Sequence, residues 1–431
     1  MLGQIHTYIK NKVKDYELYY THTDTTSFLL QRENIDFATE GSDDALGVRV
    51  FLDGKMGFAS TMHLSQYQAC VDQAIKIARL NNHDPKFKQF VGPQKIPKVP
   101  MKTKILADLP YSALQKTITD YIKSLKSVHK DVRISSGGYE RNISTIHLIN
   151  SAGVNLQTAV AANSLSAEIL YKDQALSFGT EERIPLDPDQ GKEHAQRLVA
   201  MDHAQKIPTQ TLPLVLHPDA LASLMEEAFT FAIDAEHVQQ KKSYFTGKIG
   251  KPIFDPKITI TDDALDPKRY MSRPFDDEGT PSQKTALVTK GKLTSYSYDS
   301  YTAYDEQKKS TGNAHRNALS TPSIGPNNTL LEQGTKKIND LISSLKKGVY
   351  VTQLLGTHTM NENTGDFSLA IYEGQYIQDG VIKHALKDTM IAGNFFALLK
   401  DVQAISKEVK HAGRGYYIPY TLFPSINVIG E

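Results

Sequence analysis

The sequence predicts an α+β protein in two parts. A mixed helix-and-strand part covers about 1–207, and a strand-rich, barrel-like part covers about 208–431. Alternating apolar and polar runs recur in both halves, as half-buried strands require. Helical stripes separate those runs in the first half and thin out in the second. Pro208 and Pro213 flank a break between the two patterns.

Taken in order, Ile5, Tyr8, Ile9 and Val13 open the chain at helical spacing. Strand-like segments follow at Glu17–His22, Thr25–Arg32, Leu46–Leu52 and Met56–Ser60, with Asp53-Gly54 as a hairpin turn between the last two. Leu64, Tyr67, Cys70, Val71, Ala74, Ile75 and Ala78 form one helical stripe, with Cys70 as a small core residue. Residues 81–110 carry five prolines among lysines and read as an extended connector, since proline lacks the N–H donor. Leu114, Ile118, Tyr121, Ile122 and Leu125 predict a second helix. Residues 131–173 predict a meander turning at Asn150-Ser151-Ala152-Gly153 and Ala162-Asn163-Ser164. A helical stretch over 191–206 closes the first part.

The second part opens with a short strand, Leu214–Leu216. A helix then runs from about 219 to 238, with Asp219 able to accept from the free N–H groups at its start. Strands are predicted at Lys257–Thr261, Thr285–Thr289, Leu293–Ser297, Val349–Leu355, Phe367–Tyr372, Glu373–Ile377 and Val381–Leu386, and at the tail Ile418–Ile429. Helices are predicted at Thr335–Leu345 and Asn394–Ile405. Many short strands with turn signals suggest a barrel or sandwich.

Composition narrows the function. Lys+Arg is 49 and Asp+Glu is 48, a net charge of +1, which argues against binding nucleic acid through bulk charge. No apolar run approaches the roughly 20 residues that span a bilayer. The start has no signal-peptide pattern, and the single cysteine forms no disulfide framework or cysteine zinc cluster. The expected setting is the cytoplasm. P-loop, dinucleotide, nucleophile-elbow and His-Glu-x-x-His motifs are absent. The fourteen histidines are scattered and read as surface residues.

Four stretches remain. Glu226 and Glu227 sit side by side in an apolar helix. Arg273-Pro274-Phe275-Asp276-Asp277-Glu278-Gly279 reads as a tight acidic turn. Ser310-Thr311-Gly312-Asn313-Ala314-His315-Arg316 reads as a peptide-contacting or crossing loop. Asn363-Thr364-Gly365-Asp366-Phe367 is a turn entering a strand.

Together these stretches resemble the TldD/PmbA family, known as modulators of DNA gyrase and as peptide-degrading metalloprotease complexes. The resemblance also rests on Gly47-Val48-Arg49-Val50, Asp53-Gly54, Gly57-Phe58-Ala59-Ser60-Thr61, Asn150-Ser151-Ala152-Gly153, Val215-Leu216-His217-Pro218 and Ala392-Gly393-Asn394. It covers nearly the whole chain. It implies a two-domain fold whose C-terminal part carries the metalloprotease helix and pairs subunits. The TldD branch holds zinc with His-Glu-x-x-x-His and a C-terminal cysteine; the PmbA branch, also called TldE, lacks these. On that pattern the histidine positions hold Glu226 and Phe231, the glutamate position holds Glu227, and the cysteine region corresponds to His411-Ala412-Gly413-Arg414-Gly415. Ligands five residues apart on a helix also need a local distortion such as a π-bulge.

The resemblance therefore implies a PmbA/TldE-like, non-catalytic subunit with no catalytic residue, metal or cofactor of its own. Zinc is expected only in a TldD-type partner. The expected assembly is a heterodimer with that partner, or a homodimer, acting on unfolded peptides without membrane or direct nucleic-acid contact. Gly312, Asn313, His315, Thr364, Gly365 and Asp366 are the expected peptide-binding residues. One alternative is an active metallopeptidase using Glu226, Glu227, Glu236, His237 or His411. A second is a regulator of DNA gyrase or of a peptide-toxin pathway.

Overall fold

The computed structural model describes residues 1–101 and 103–431. The first part is one antiparallel sheet of six strands: β1 (Asp15–Gln31), β2 (Asn34–Leu52), β3 (Lys55–Thr61), β4 (Arg133–Asn150), β5 (Asn155–Tyr171) and β6 (Gln174–Glu182). Their order is β3-β2-β1-β4-β5-β6, so β6 is an edge strand bonded only to β5. Helices Leu2–Lys10 and Tyr67–Leu80 cover one end, packing on Leu18, Leu46, Val48 and Val50. Helices Tyr111–Val128 and Gln190–Ala200 cover the other, packing on Phe28, Leu30, Ile134 and Ile169. Cys70 lies in the first of these cores, where burial pushes its thiol up to about 11.

Three expectations change here. The segments Glu17–His22 and Thr25–Arg32 are one strand. Its polar middle stays paired because side chains bond across strands, Thr25 to Asn142 at 2.7 Å and His22 to Asp44 at 3.0 Å. Ala162-Asn163-Ser164 is the middle of β5 and not a turn. Asn163 tolerates that buried position because its amide donates to the carbonyls of Glu182 and Ile184. The helix expected over 191–206 stops at Ala200.

In the second part, strands Gln210–Leu216, Lys347–Leu355, Asp366–Gln378, Met390–Asn394 and Tyr416–Ile429 bond in a closed ring, a small barrel without edges. An arm made of Thr329–Leu331, Ile260–Asp263, Lys284–Thr289 and Lys292–Leu293 extends from Tyr416–Ile429. The two strands expected at Phe367–Tyr372 and Glu373–Ile377 are one. The segment expected to be helical over Asn394–Ile405 has only Phe395–Leu398 as helix. Gln403 then bonds to Leu422, and Ala404–His411 joins the sheet. No helix among the described residues is long and apolar enough to cross a membrane.

A buried ionic joint holds the two parts together. Glu17 and Arg49 are register partners on β1 and β2, with Arg49 Nη2 3.0 Å from Glu17 Oε1. From the second part, Arg316 Nη2 lies 2.8 Å from the same Glu17 oxygen, and Glu278 Oε1 lies 3.2 Å from Arg49. Tyr19 donates to Asp277 at 2.8 Å, and the Arg316 guanidinium lies over the Tyr19 ring. All four ionic side chains are nearly sealed from solvent. The carboxylates of the acidic turn thus pair with guanidinium groups of the chain itself. Asp276 shapes the turn by accepting the N–H groups of Glu278 and Thr280.

Breaking a buried pair leaves a charge without compensation, which costs about 3–5 kcal/mol. Arg316→Met is therefore expected to lower the unfolding free energy by about that amount in urea titration. Burial, with the charge of Glu278, also pushes Asp299 up to about 7 and raises Asp276. Both hold protons in the fold that the unfolded chain has lost, so stability falls as pH rises towards the folded values. Buried His194 and His315 are shifted down and oppose this trend only below the ordinary histidine range. The thermal midpoint should therefore decline from pH 6.5 to 8, and Asp299→Asn, which can keep the cap on Thr302, should flatten that decline.

Candidate functional site

The helix at the centre of the second part is built in three pieces. His217 and Pro218 start it, with His217 Nδ1 accepting the Asp219 N–H at 3.1 Å. Pro218–Leu224 is α-helical. Met225–Phe229 is a π turn, in which the Thr230 N–H bonds to Met225 O, and Thr230–Ile233 returns to α geometry. Asp234 breaks the run with ψ 120° and caps Ala235–Gln239 by accepting from Glu236 at 2.7 Å. The continuous helix expected over 219–238 is therefore interrupted twice. Leu221, Leu224, Met225, Ala228, Phe229 and Ala232 bury one face in the barrel core.

The π turn changes which residues share the other face. In a straight α-helix, positions five apart are about 140° out of line. One inserted residue brings Glu226 and Phe231 to about 40° of each other. The distortion that a ligand pair at these positions requires is thus present. The side chains there are engaged differently. Glu226 Oε1 pairs with Arg414 Nη1 at 2.8 Å, in an exposed contact. Arg414 comes from the turn that follows strand Ala404–His411. The Phe231 ring stacks on His237 with centroids 3.8 Å apart and planes 19° from parallel. Partial burial and the charges of Glu226 and Glu362 raise Glu227. Burial pushes Asp234 up to about 6.

Glu226 opens onto a cleft of about 430 Å³ between the two parts of the chain. Its walls are the edge strand β6, the helix Gln190–Ala200, the start of the central helix and the loop at His411. Arg197 ties the walls together, with Nε 3.0 Å from both Glu373 carboxylate oxygens and Nη1 3.2 Å from Asp219. Lys410 pairs with Glu193 across the same gap. His411 stacks on Tyr417 and its Nδ1 is 3.3 Å from Glu182.

The residues 209–430 match the model of the PmbA/TldA metallopeptidase C-terminal domain, and residues 16–78 match domain 1 of the same metallopeptidases. The chain belongs to the PmbA/TldD family. It is 32% identical over 426 residues to the uncharacterized protein MJ0231 of Methanocaldococcus jannaschii, covering 97% of this chain and 94% of that protein. It is 25% identical to the metalloprotease PmbA homolog of Haemophilus influenzae, covering 89% and 84%. Its fold matches TldE from Thermococcus kodakarensis with a TM-score of 0.92 over the full length of both chains, at 23% identity.

A catalytic zinc takes three protein ligands and leaves one position for water. Glu226 and Phe231, the residues that the resemblance aligns with ligand positions, do not by themselves make up that set. Phe231 has no donor atom and packs on His237, and Glu226 already faces a guanidinium. Among the described residues no three His, Cys, Asp or Glu side chains come together to hold a metal ion.

The expected peptide-binding residues separate into two groups. Gly312 and Asn313 are buried and His315 is partly buried, so this loop offers little open surface. Asn313 donates to Asp262 and to Gly325 O, and His315 packs on Arg273. Thr364 and Asp366 are exposed and form a self-bonded turn with Asn394 around the buried Gly365. His194 is also buried, against the expectation of a surface histidine. The cleft residue Arg197 and its partner Glu373 carry no local sequence signal, because they lie 176 residues apart.

An exposed ion pair contributes at most about 1 kcal/mol. Arg414→Gln is accordingly expected to shift the thermal midpoint by no more than a degree or two. A large loss would show that the Glu226 pair carries structural weight.

Proposed function

We propose that this chain is the non-catalytic, PmbA/TldE-like subunit of a TldD-type zinc metalloprotease complex that processes unfolded peptides. The observation that carries the reading is the occupied face of the π turn. The helical distortion that would aim two ligands at a metal is present, while Phe231 stacked on His237 and Arg414 on Glu226 take the ligand places. Glu227 keeps the residue type of a general base but has no metal-bound water to deprotonate.

The cleft supports a peptide-handling role. Ser177, Phe178, Gly179, Thr180, Glu181 and Glu182 of edge strand β6 line it. An open strand edge offers main-chain donors and acceptors to an extended peptide whatever its sequence. In the complex, the partner would supply the zinc, and this chain would supply part of the peptide-holding wall.

Co-expression with the TldD-type subunit of the same organism tests the reading. The two chains are expected to co-purify, and cleavage of an unfolded peptide should require both. Glu227→Gln in this chain should leave the complex's kcat within about twofold. Failure to co-purify, or a loss of cleavage with Glu227→Gln as large as a general base supplies, about 10²-fold or more, would contradict it.

A further inference from the structure

Two buried histidines line the cleft from opposite parts of the chain. His194, on helix Gln190–Ala200, is 7% exposed, and His217, at the cap of the central helix, is 3% exposed. The Tyr121 hydroxyl lies 2.9 Å from His194 Nδ1 and has no other hydrogen-bond partner among the described residues. When that hydroxyl donates its proton to Nδ1, the neutral ring carries its own proton on Nε2. Burial, helped by the charge of Arg197, pushes His194 down to about 4, so the ring is neutral near pH 7. His217 Nδ1 accepts the Asp219 backbone N–H, a group that can only donate. With Nδ1 accepting, His217 also carries its ring proton on Nε2. The Asp219 carboxylate lies 3.3 Å from the same Nδ1 and is shared with Arg197. Neither Nε2 has a hydrogen-bond partner among the described residues.

The charge of the cleft limits what these donors accept. Its lining has five carboxylates, Glu181, Glu182, Glu193, Asp219 and Glu226, against Arg197 and Lys410, a balance of 2 − 5 = −3. Both cations are already paired, Arg197 with Glu373 and Lys410 with Glu193. An incoming anion meets net repulsion, whereas a neutral acceptor does not. The amide carbonyl is the neutral acceptor that an extended peptide presents along β6.

We propose that His194 and His217 donate their Nε2 protons to main-chain carbonyl oxygens of an extended peptide lying in this cleft. This rests on the reading that the chain handles unfolded peptide. It adds that recognition is of the backbone, from both walls at once, and disfavours a terminal carboxylate at this point.

The test uses the full chain with ¹⁵N-labelled histidine and a short alanine–serine peptide, acetylated and amidated at its ends. The same peptide with a free C-terminal carboxylate is the comparison. Both Nε2 resonances are expected to move on adding the blocked peptide, which should bind at least as well as the free acid. His217→Asn keeps an acceptor for the helix cap but withdraws the cleft donor. Tyr121→Phe with His194→Phe removes the second donor and its partner together, so no buried hydroxyl is orphaned. Each should weaken binding about three- to tenfold, the worth of one hydrogen bond. Binding with both Nε2 resonances unmoved would overturn the proposal, as would clear preference for the free acid or absence of peptide binding. Co-purification with the TldD-type subunit is read separately, so the subunit reading is judged on its own result.

Discussion

The two parts of the chain are positioned by one carboxylate. Glu17 is sealed from solvent, and an isolated charge in such a place is prohibitively costly. It is held by Arg49 from its own sheet and by Arg316 from the second part. Since neither guanidinium can lose its proton, the charges of the joint face their counter-charges only when the two parts are together. With it fixed, β6 and the helix Gln190–Ala200 face the start of the central helix, and Arg197 closes the far side on Glu373 and Asp219. The cleft follows from these two clamps.

The central helix keeps its π turn through contacts that leave Glu226 and Phe231 out. The π turn is held by the Thr230 N–H bond to Met225, by Thr230 Oγ1 against the Tyr416 hydroxyl at 2.5 Å, and by an apolar face buried in the barrel. None of these contacts involves Glu226 or Phe231. The distortion therefore does not depend on the residues at those two positions, and the outward face is free to change. The proposed peptide-holding role needs only the cleft wall, and that wall depends on the clamps and not on the ligand positions.

Much of the secondary structure was legible because period-two and helical stripes are strong where one face is buried, as at Cys70, Val71, Ala74 and Ile75. The middle of β1 was not, because Thr21–Thr26 alternates no apolar residues and is held by cross-strand hydrogen bonds instead. The turn expected at Ala162-Asn163-Ser164 failed for a related reason. Asn163 is a turn former locally, but the carbonyls of Glu182, at the end of β6, and of Ile184, just past it, satisfy it inside the sheet. At the site, Glu226, Glu227 and Phe231 could be placed from the sequence by resemblance. Arg414 reaching Glu226, and Asn313 and His315 turning inward, depend on contacts between distant segments. His194 and His217 were visible as residues, but the partners of their Nδ1 atoms, Tyr121 and a backbone N–H, are brought to them only by the fold.

The claim that this helix keeps the frame of a zinc site without its chemistry has a direct physical readout in metal content. The untagged chain, purified without chelators, would be weighed for zinc by mass spectrometry. A zinc content far below one atom per chain is the predicted result. Near-stoichiometric zinc that disappears in Glu226→Ala would contradict it, and would mean that Glu226 leaves Arg414 to join a ligand set.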